Sequence, residues 1–327
     1  MSSVTVVIPH WNRLDLIVPA LKRLVHQTHP IHEILVVDDG STDGSAEAAE
    51  IHGARVLRMG RNTGFAKAVN RGINECRTEL IALINNDVEA APDWLARLVS
   101  EFANSSVWFA TGKILDAKRR DFLDGTFDLL SKGACAWRAG SQRTDGAQWN
   151  ERREILFASA TAAVFRKELF RRVGGLDEAF ESYLEDVEFG LRCALAGYRG
   201  IYVPDAVVFH DGSATLGVWS REKVRLVARN QLLLVARHYP EDWIWQYGWK
   251  ILIGQVLWGI VALRHDAGMA YIRGKWQGLR LFHRARRQVT DPVRLRVVLS
   301  ESEGMIEEIQ RQCGFDAYWR WYFSLTS

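Results

Sequence analysis

Apolar strand-like runs alternate with helix-period segments through the first third of the chain. "VTVVIP", beginning at Val4, is a short β-branched run, and after "HWNRLD" the spacing predicts a helix from about Leu16 to Gln27, capped by Asp15, with Pro19 near its first turn. "EILVVDDGSTDGS" reads as a second strand that ends abruptly in acids, Gly and Ser. "ARVLRM" is a third strand, "GFAKAVNRGINEC" a helix, "LIALINNDVE" a fourth strand, and "PDWLARLVSEFANS" a helix opened by Pro92. Continuous apolar strands separated by helices predict βαβ units and a sheet covered on both faces. Ligands of such sheets bind beyond the carboxyl ends of the strands, which makes the residues just after each strand the ones to inspect.

The stretch from about Leu115 to Arg153 is polar and shows no clear period. Order resumes in "ILFASATAAVFRKELFRRVGGLDEAF", a small-residue run followed by a helix and a Gly-Gly turn. In "ESYLEDVEFGLRCALAGYRG", Glu181 to Gly200, residues Leu184, Val187, Leu191 and Leu195 recur at helical spacing, with acids at the start and on the flank. "GIYVPDAVVFHDG" then reads as a last strand ending at His210.

Beyond about Val218 a basic amphipathic helix runs to Pro240. The run from Trp243 to Leu263 follows, long enough to cross a bilayer but carrying Gln246, Lys250 and Gln255. A charge near the centre of a span costs roughly 2.5 to 3.5 kcal/mol, which disfavours crossing. Two readings stay open: an interfacial helix with its tryptophans at headgroup depth beside Arg237 and Arg264, or a helical subdomain that buries them.

Composition narrows the class. With 48% apolar and 25% charged residues the chain reads as globular, and a formal charge of +3 gives no argument for nucleic acid. The positive charge is concentrated, with nine Lys or Arg against two Asp between Arg264 and Arg296. Four scattered cysteines without a CxxC pair point to a reducing compartment and no zinc site. The N-terminal segment has no basic region before an apolar stretch, so no secretory signal is expected.

The strand ends carry the candidate chemistry. Adjacent Asp38 and Asp39 repel one another unless they meet cations or donors, which suggests recognition of a ligand. "GRNTGFAKAVNRG" opens a helix where backbone N–H groups can meet phosphate oxygens, near Lys67 and Arg71. Asp87 offers hard oxygen to Mg²⁺ or Mn²⁺, and Asn85 and Glu89 share its face if that strand continues.

Taken in order, "VVIPHWNR", "VVDDGSTDGS", "NTGFAKAVNRGI", "LINNDVEAAPDWL", "RRVGGLDEAFESYLEDVEFGLRCALAGYRGIYVPDAVVFH" and "ARNQLLLVARH" resemble the family 2 glycosyltransferases of the GT-A fold, particularly bacterial rhamnosyltransferase-like members. The resemblance covers about residues 4 to 235. It implies an α/β fold of the GT-A type with a Rossmann-like, mainly parallel sheet flanked by helices, to which the Trp-rich and basic pattern beyond it adds an expected C-terminal helical, membrane-associating extension. It also implies that Pro9, Trp11, Asn12, Asp38, Asp39, Asn62, Gly64, Phe65 and Asn86 line the donor pocket, with Asp39 accepting from the base. Asp87 and His210 would bind the divalent metal, Mg²⁺ or Mn²⁺. Asn85 stands where relatives often have a first Asp, so one carboxylate is missing. Asp186 would be the catalytic base, positioned by Glu185. Arg229 and Asn230 would reach a phosphate of donor or acceptor, or else be a surface cation and a solvated Asn.

The expected organisation is a catalytic domain over 1–217, divided near 111 into nucleotide-sugar and acceptor parts, and a helical region over 218–327. The expected reaction is inverting transfer of a sugar, rhamnose from dTDP-rhamnose first, to a hydroxyl of a lipid-linked glycan in surface polysaccharide synthesis. UDP-hexose or UDP-N-acetylhexosamine donors stay open, as does a non-catalytic nucleotide-sugar-binding protein. A nucleotidyltransferase would need a Gly-rich basic loop after the first strand, which "IPHWNRLD" lacks. The expected location is the cytoplasm, peripheral on the cytoplasmic face of the inner membrane.

Overall fold

The computed structural model describes residues 2–212, 219–287 and 291–327. By contact the chain forms two compact units, Met1–Phe127 with Gly140–Thr215, and Asp128–Ala139 with Leu216–Ser327. The boundary expected at 217 and 218 lies outside the described residues.

The chain runs β1 (Val4–His10), α1 (Leu14–Val25), β2 (Glu33–Asp38), α2 (Ser45–Ile51), β3 (Arg55–Arg58), α3 (Phe65–Glu75), β4 (Leu80–Ile84), β5 (Val88–Ala90), α4 (Trp94–Ser100), β6 (Val107–Asp116) and β7 (Leu123–Gly125). The short hairpin of β8 (Asp128–Leu130) and β9 (Ala136–Arg138) follows. Then come β10 (Arg153–Ile155), β11 (Ala162–Arg166), α5 (Lys167–Val173), α6 (Glu185–Leu195) and β12 (Arg199–His210). The remaining helices are α7 (Arg221–His238), α8 (Glu241–Arg264), α9 (Gly268–Ala285), α10 (Pro292–Cys313) and α11 (Ala317–Thr326).

In the first unit the main sheet has the order β10-β12-β6-β11-β4-β1-β2-β3. It is parallel across β3, β2, β1 and β4, and mixed beyond, where β11 runs antiparallel to both β4 and β6. All seven residues of β1 are buried, which explains the unbroken apolar run. Val4, Val6 and Ile8 pack on one face with Ile17, Leu21 and Leu24 of α1 and Trp94, Leu95 and Leu98 of α4. Val7, on the opposite face by the two-residue period, meets α3 at Gly72.

Three local departures have physical causes. The first helix begins at Leu14, not Leu16; Asp15 sits inside its first turn paired with Arg13, and Asp43 accepts the Leu14 N–H instead. The fourth strand breaks after Ile84, and Val88–Ala90 pairs with β12 rather than continuing along β4. A strand absent from the sequence expectations, β6, precedes the polar middle, which itself contributes β7 to the main sheet and sends Asp128–Ala139 into the helical unit.

β12 reaches its functional end through a bulge, because its pairing with β6 jumps from Val203↔Gly112 to Val207↔Lys113 around Pro204. Gly112 makes room for that bulge: a Cβ there would lie 1.8 Å from Ala206 O. Gly112→Ala is therefore expected to destabilise by about 1–3 kcal/mol. Thermal unfolding followed by circular dichroism checks it, and an unchanged melting temperature would refute the packing account.

In the second unit the β8–β9 hairpin is enclosed by helices. Leu130 N–H donates to Ser302 Oγ, Lys132 N–H to Glu303 Oε2 and Gly133 N–H to Tyr322 OH, while Gln255 Nε2 donates to Gly133 O. Trp137 meets Trp319 edge-on at 6.2 Å. The tryptophans of α8 divide: Trp243 is buried, whereas Trp245 is 88% exposed. Among the described residues no helix is long and apolar enough to cross a membrane.

Candidate active site at the strand ends of the first unit

β1, β2 and β4 end side by side, with His10 in register with Asp38. Pro9 is buried in β1, while Trp11 is 39% exposed and presents its ring. Asn12, at φ 41, ties the β1 end to the next loop: its N–H donates to Ser41 Oγ and its Oδ1 accepts from Thr42 N–H. Buried Asp38 accepts from Ser41 N–H.

Asp39 has a more committed position than its expected role. Its carboxylate accepts from Thr63 N–H, Thr63 Oγ and Gly64 N–H at 2.7 to 2.9 Å. A carboxylate has about four acceptor directions, so roughly one is left for a ligand. Asp39 thus holds the loop that carries exposed Asn62 and half-buried Gly64 and Phe65 at the start of α3. The two loops touch so closely at Gly40, φ 82, that a Cβ would lie 2.5 Å from Arg61 Cα.

At the end of β4, Asn86 Nδ2 lies 2.9 Å from His10 Nδ1. His10 was not singled out by the sequence; its Nε2 is buried without a partner, and burial pushes its pKa below the ordinary value. Asp87 Oδ1 is also buried, and faces His210 Nε2 at 3.2 Å as its one close polar neighbour among the described contacts. The other ring nitrogen, His210 Nδ1, is 2.9 Å from Asp124 Oδ2. Although burial opposes protonation, the Asp124 and Asp87 carboxylates raise the His210 pKa to about 9. The Asp211 N–H donates to Asp87 O and locks the two strand ends together.

This geometry fits a divalent cation. Two adjacent ligands of an octahedral ion at 2.0–2.1 Å stand about 3 Å apart, close to the Asp87–His210 separation. The raised pKa puts a proton on Nε2 as well, which a cation would have to displace; the Asp124 carboxylate on the far ring nitrogen would then keep the remaining proton at Nδ1 and turn Nε2 towards the ion. Among the described residues no three His, Cys, Asp or Glu side chains are grouped to hold an ion alone, so ligands from the substrate would complete the shell. Glu89 turns away to Arg23, 3.6 Å off, as the broken strand requires.

The small-residue run joins this strand end to the acidic helix. Asn85 N–H donates to Thr161 O, and Ala160 N–H donates to Asp186 Oδ2 at 3.2 Å. Asp186 is half-buried and Glu185 is buried. The turn before them holds Glu181, Tyr183 and Leu184 at φ of 60 to 69. Non-glycine residues there cost of order 1–3 kcal/mol each, strain characteristic of functional turns. Glu181 O accepts from Ala66 N–H in the first turn of α3, so donor loop and acidic helix are directly connected. Glu188 is instead structural, a fully buried partner of Arg192.

Arg229 and Asn230 lie in the other unit, both buried in α7, with Arg229 Nε donating to Asn230 Oδ1. Neither is the solvated surface residue that was the alternative.

A sheet of this order, with acids and a histidine at adjacent strand ends, is a GT-A fold. A solved structure of GalNAc-T7 with UDP, GalNAc and Mn²⁺ has the same fold at TM-score 0.62 and 15% identity, covering 79% of this chain and 51% of that one. The chain belongs to glycosyl transferase family 2, whose model matches residues 5–174. It is 30% identical over 231 residues to the pre-mycofactocin glycosyltransferase of Mycobacterium tuberculosis, covering 67% of this chain and 45% of that protein. It is 27% identical over 263 residues to the N-acetylglucosaminyl-diphospho-decaprenol L-rhamnosyltransferase of the same organism, covering 71% and 81%. The chain spans less than half the length of several curated relatives that it matches.

Proposed function

We propose that the protein is an inverting glycosyltransferase that moves a sugar from a nucleoside-diphosphate donor to a hydroxyl of a lipid-linked glycan. The observation that carries this reading is the buried Asp87 Oδ1 facing His210 Nε2, with Asp186 tied through Ala160 and Thr161 to the same strand end. Trp11, Asp39 and the 62–65 loop hold the nucleoside, and Asn86 and His10 border the diphosphate. Asp87 and His210 would hold Mg²⁺ or Mn²⁺, which would supply positive charge beside a departing diphosphate. Asp186 takes the acceptor's proton during attack, and Glu185 fixes the helix start that aims it. Attack opposite the leaving group inverts the anomeric centre in one step, without a covalent sugar on the enzyme.

The name of the mycobacterial rhamnosyltransferase puts dTDP-rhamnose first among donors and a polyprenyl-diphosphate-linked sugar first among acceptors. Surface polysaccharide synthesis at the cytoplasmic face of a membrane is the matching setting, and four scattered cysteines without a CxxC pair suit a reducing compartment. Arg229 and Asn230, buried together, support α7 rather than a surface contact. The test is nucleoside-diphosphate release from a panel of dTDP-, UDP- and GDP-sugars with Mg²⁺ or Mn²⁺, with and without a lipid-diphosphate acceptor. Acceptor-stimulated release from one donor is expected; release from none by folded protein would overturn the transferase reading.

A further inference from the structure

Two consecutive helices of the second unit leave apolar faces uncovered. On α8, Trp245, Trp249, Leu252, Val256, Ile260 and Leu263 recur at steps of three and four and are all exposed, Leu252 by 63% and Leu263 by 69%. At 1.5 Å per residue that stripe is about 27 Å long. On α9, Met269, Ile272, Trp276 and Leu279 repeat the pattern, also exposed. Apolar surface of this extent marks an interaction face in a water-soluble fold.

Charge identifies the occupant. Arg273, Arg280 and Arg284 are exposed and follow the apolar positions of α9 by about a quarter turn, forming a ridge along one edge of its face. The Arg280 guanidinium lies 3.3 Å from the Trp276 ring centroid, so cation and aromatic are presented together. From Glu241, where α8 begins, to Arg287 there are eight Lys or Arg against Glu241, Asp242 and Asp266, the first two confined to the first turn of α8, in a chain whose total charge is only +3. A second copy on this face would bring arginine ridges together with few carboxylates to neutralise them, since only Asp266 and Glu222 line the pocket beside Arg273 and Glu222 is already paired with Arg225. A bilayer whose headgroups are anionic satisfies both features, with tryptophan at the interface and arginine on phosphate.

We infer that the α8–α9 hairpin is a docking surface for an anionic lipid bilayer, with the α8 stripe supplying insertion and the Arg273, Arg280, Arg284 ridge supplying lipid selectivity. The inference deepens the proposal that the enzyme meets a lipid-linked acceptor at a membrane. It makes surface charge, rather than the acceptor alone, what recruits the enzyme.

Co-sedimentation of the full chain with neutral phosphatidylcholine vesicles and with vesicles containing phosphatidylglycerol tests it. Binding is expected to favour the anionic vesicles and to weaken as salt rises. Arg273→Gln, Arg280→Gln and Arg284→Gln together should weaken anionic binding by on the order of 100-fold. Leu252→Ser with Val256→Ser should reduce binding to both vesicle types. All five positions are exposed, and an unaltered thermal melt confirms that the variants are folded. Equal binding to neutral and anionic vesicles would overturn the arginine ridge while leaving membrane docking intact. Binding to neither would overturn both. Self-association abolished by Leu252→Ser with Val256→Ser would reassign the face to a second copy.

Discussion

Asp186→Asn is expected to retain donor affinity while losing on the order of 10²- to 10⁴-fold in turnover, the range a positioned general base supplies. The substitution preserves shape and one of two backbone bonds: the amide oxygen can accept from Ala160 N–H, while the bond that the other carboxylate oxygen accepts from Val187 N–H is lost. What it removes besides that local bond is the capacity to take a proton. Turnover within a few-fold of wild type would show that Asp186 is not the base, and a parallel loss of donor affinity would show that it serves binding instead. The strained turn at Glu181, Tyr183 and Leu184 gives this residue its place, since the helix could not otherwise begin at Glu185 beside the donor loop.

The second large effect concerns the strand ends around His210. Asp87→Ala should abolish stimulation by Mn²⁺ or Mg²⁺ and cost about 10²- to 10³-fold in turnover, comparable to removing one preorganised stabilising group. Asp124→Asn acts differently. Asp124 is a positioning residue that holds His210 through Nδ1, so this variant should still reach substantial turnover but require roughly 10- to 100-fold more metal. A metal titration of activity separates the two, and an unchanged half-saturating concentration for Asp124→Asn would reject its positioning role.

How much of this was legible in advance varies by residue. The strands that carry Pro9 and Asp38, and the one that leads to Asp87, announce themselves because burial on both faces demands an unbroken apolar run, and that demand is local. The acids after them stand out against it. Asp124 gives no such signal: it lies in a three-residue strand within a polar stretch, and its meaning depends on a histidine 86 residues later. His10 was equally silent, since its buried Nε2 acquires significance only from packing. Asp39 was visible as a ligand candidate, yet three of its acceptor directions go to Thr63 and Gly64, which spacing alone does not reveal.

Helical period and strand alternation are near-neighbour properties, so the sequence by itself determined the α/β class, the order of most elements and the family resemblance. It also marked Asp87, Asp186 and His210, because each sits at the edge of a strongly patterned element. Only the tertiary structure decided which partners those residues have. It broke the fourth strand so that Glu89 faces Arg23, drew Asp128–Ala139 into the helical unit, and divided the α8 tryptophans between core and solvent. These outcomes depend on contacts between distant segments, whose packing and hydrogen bonds exist only once the chain has closed on itself.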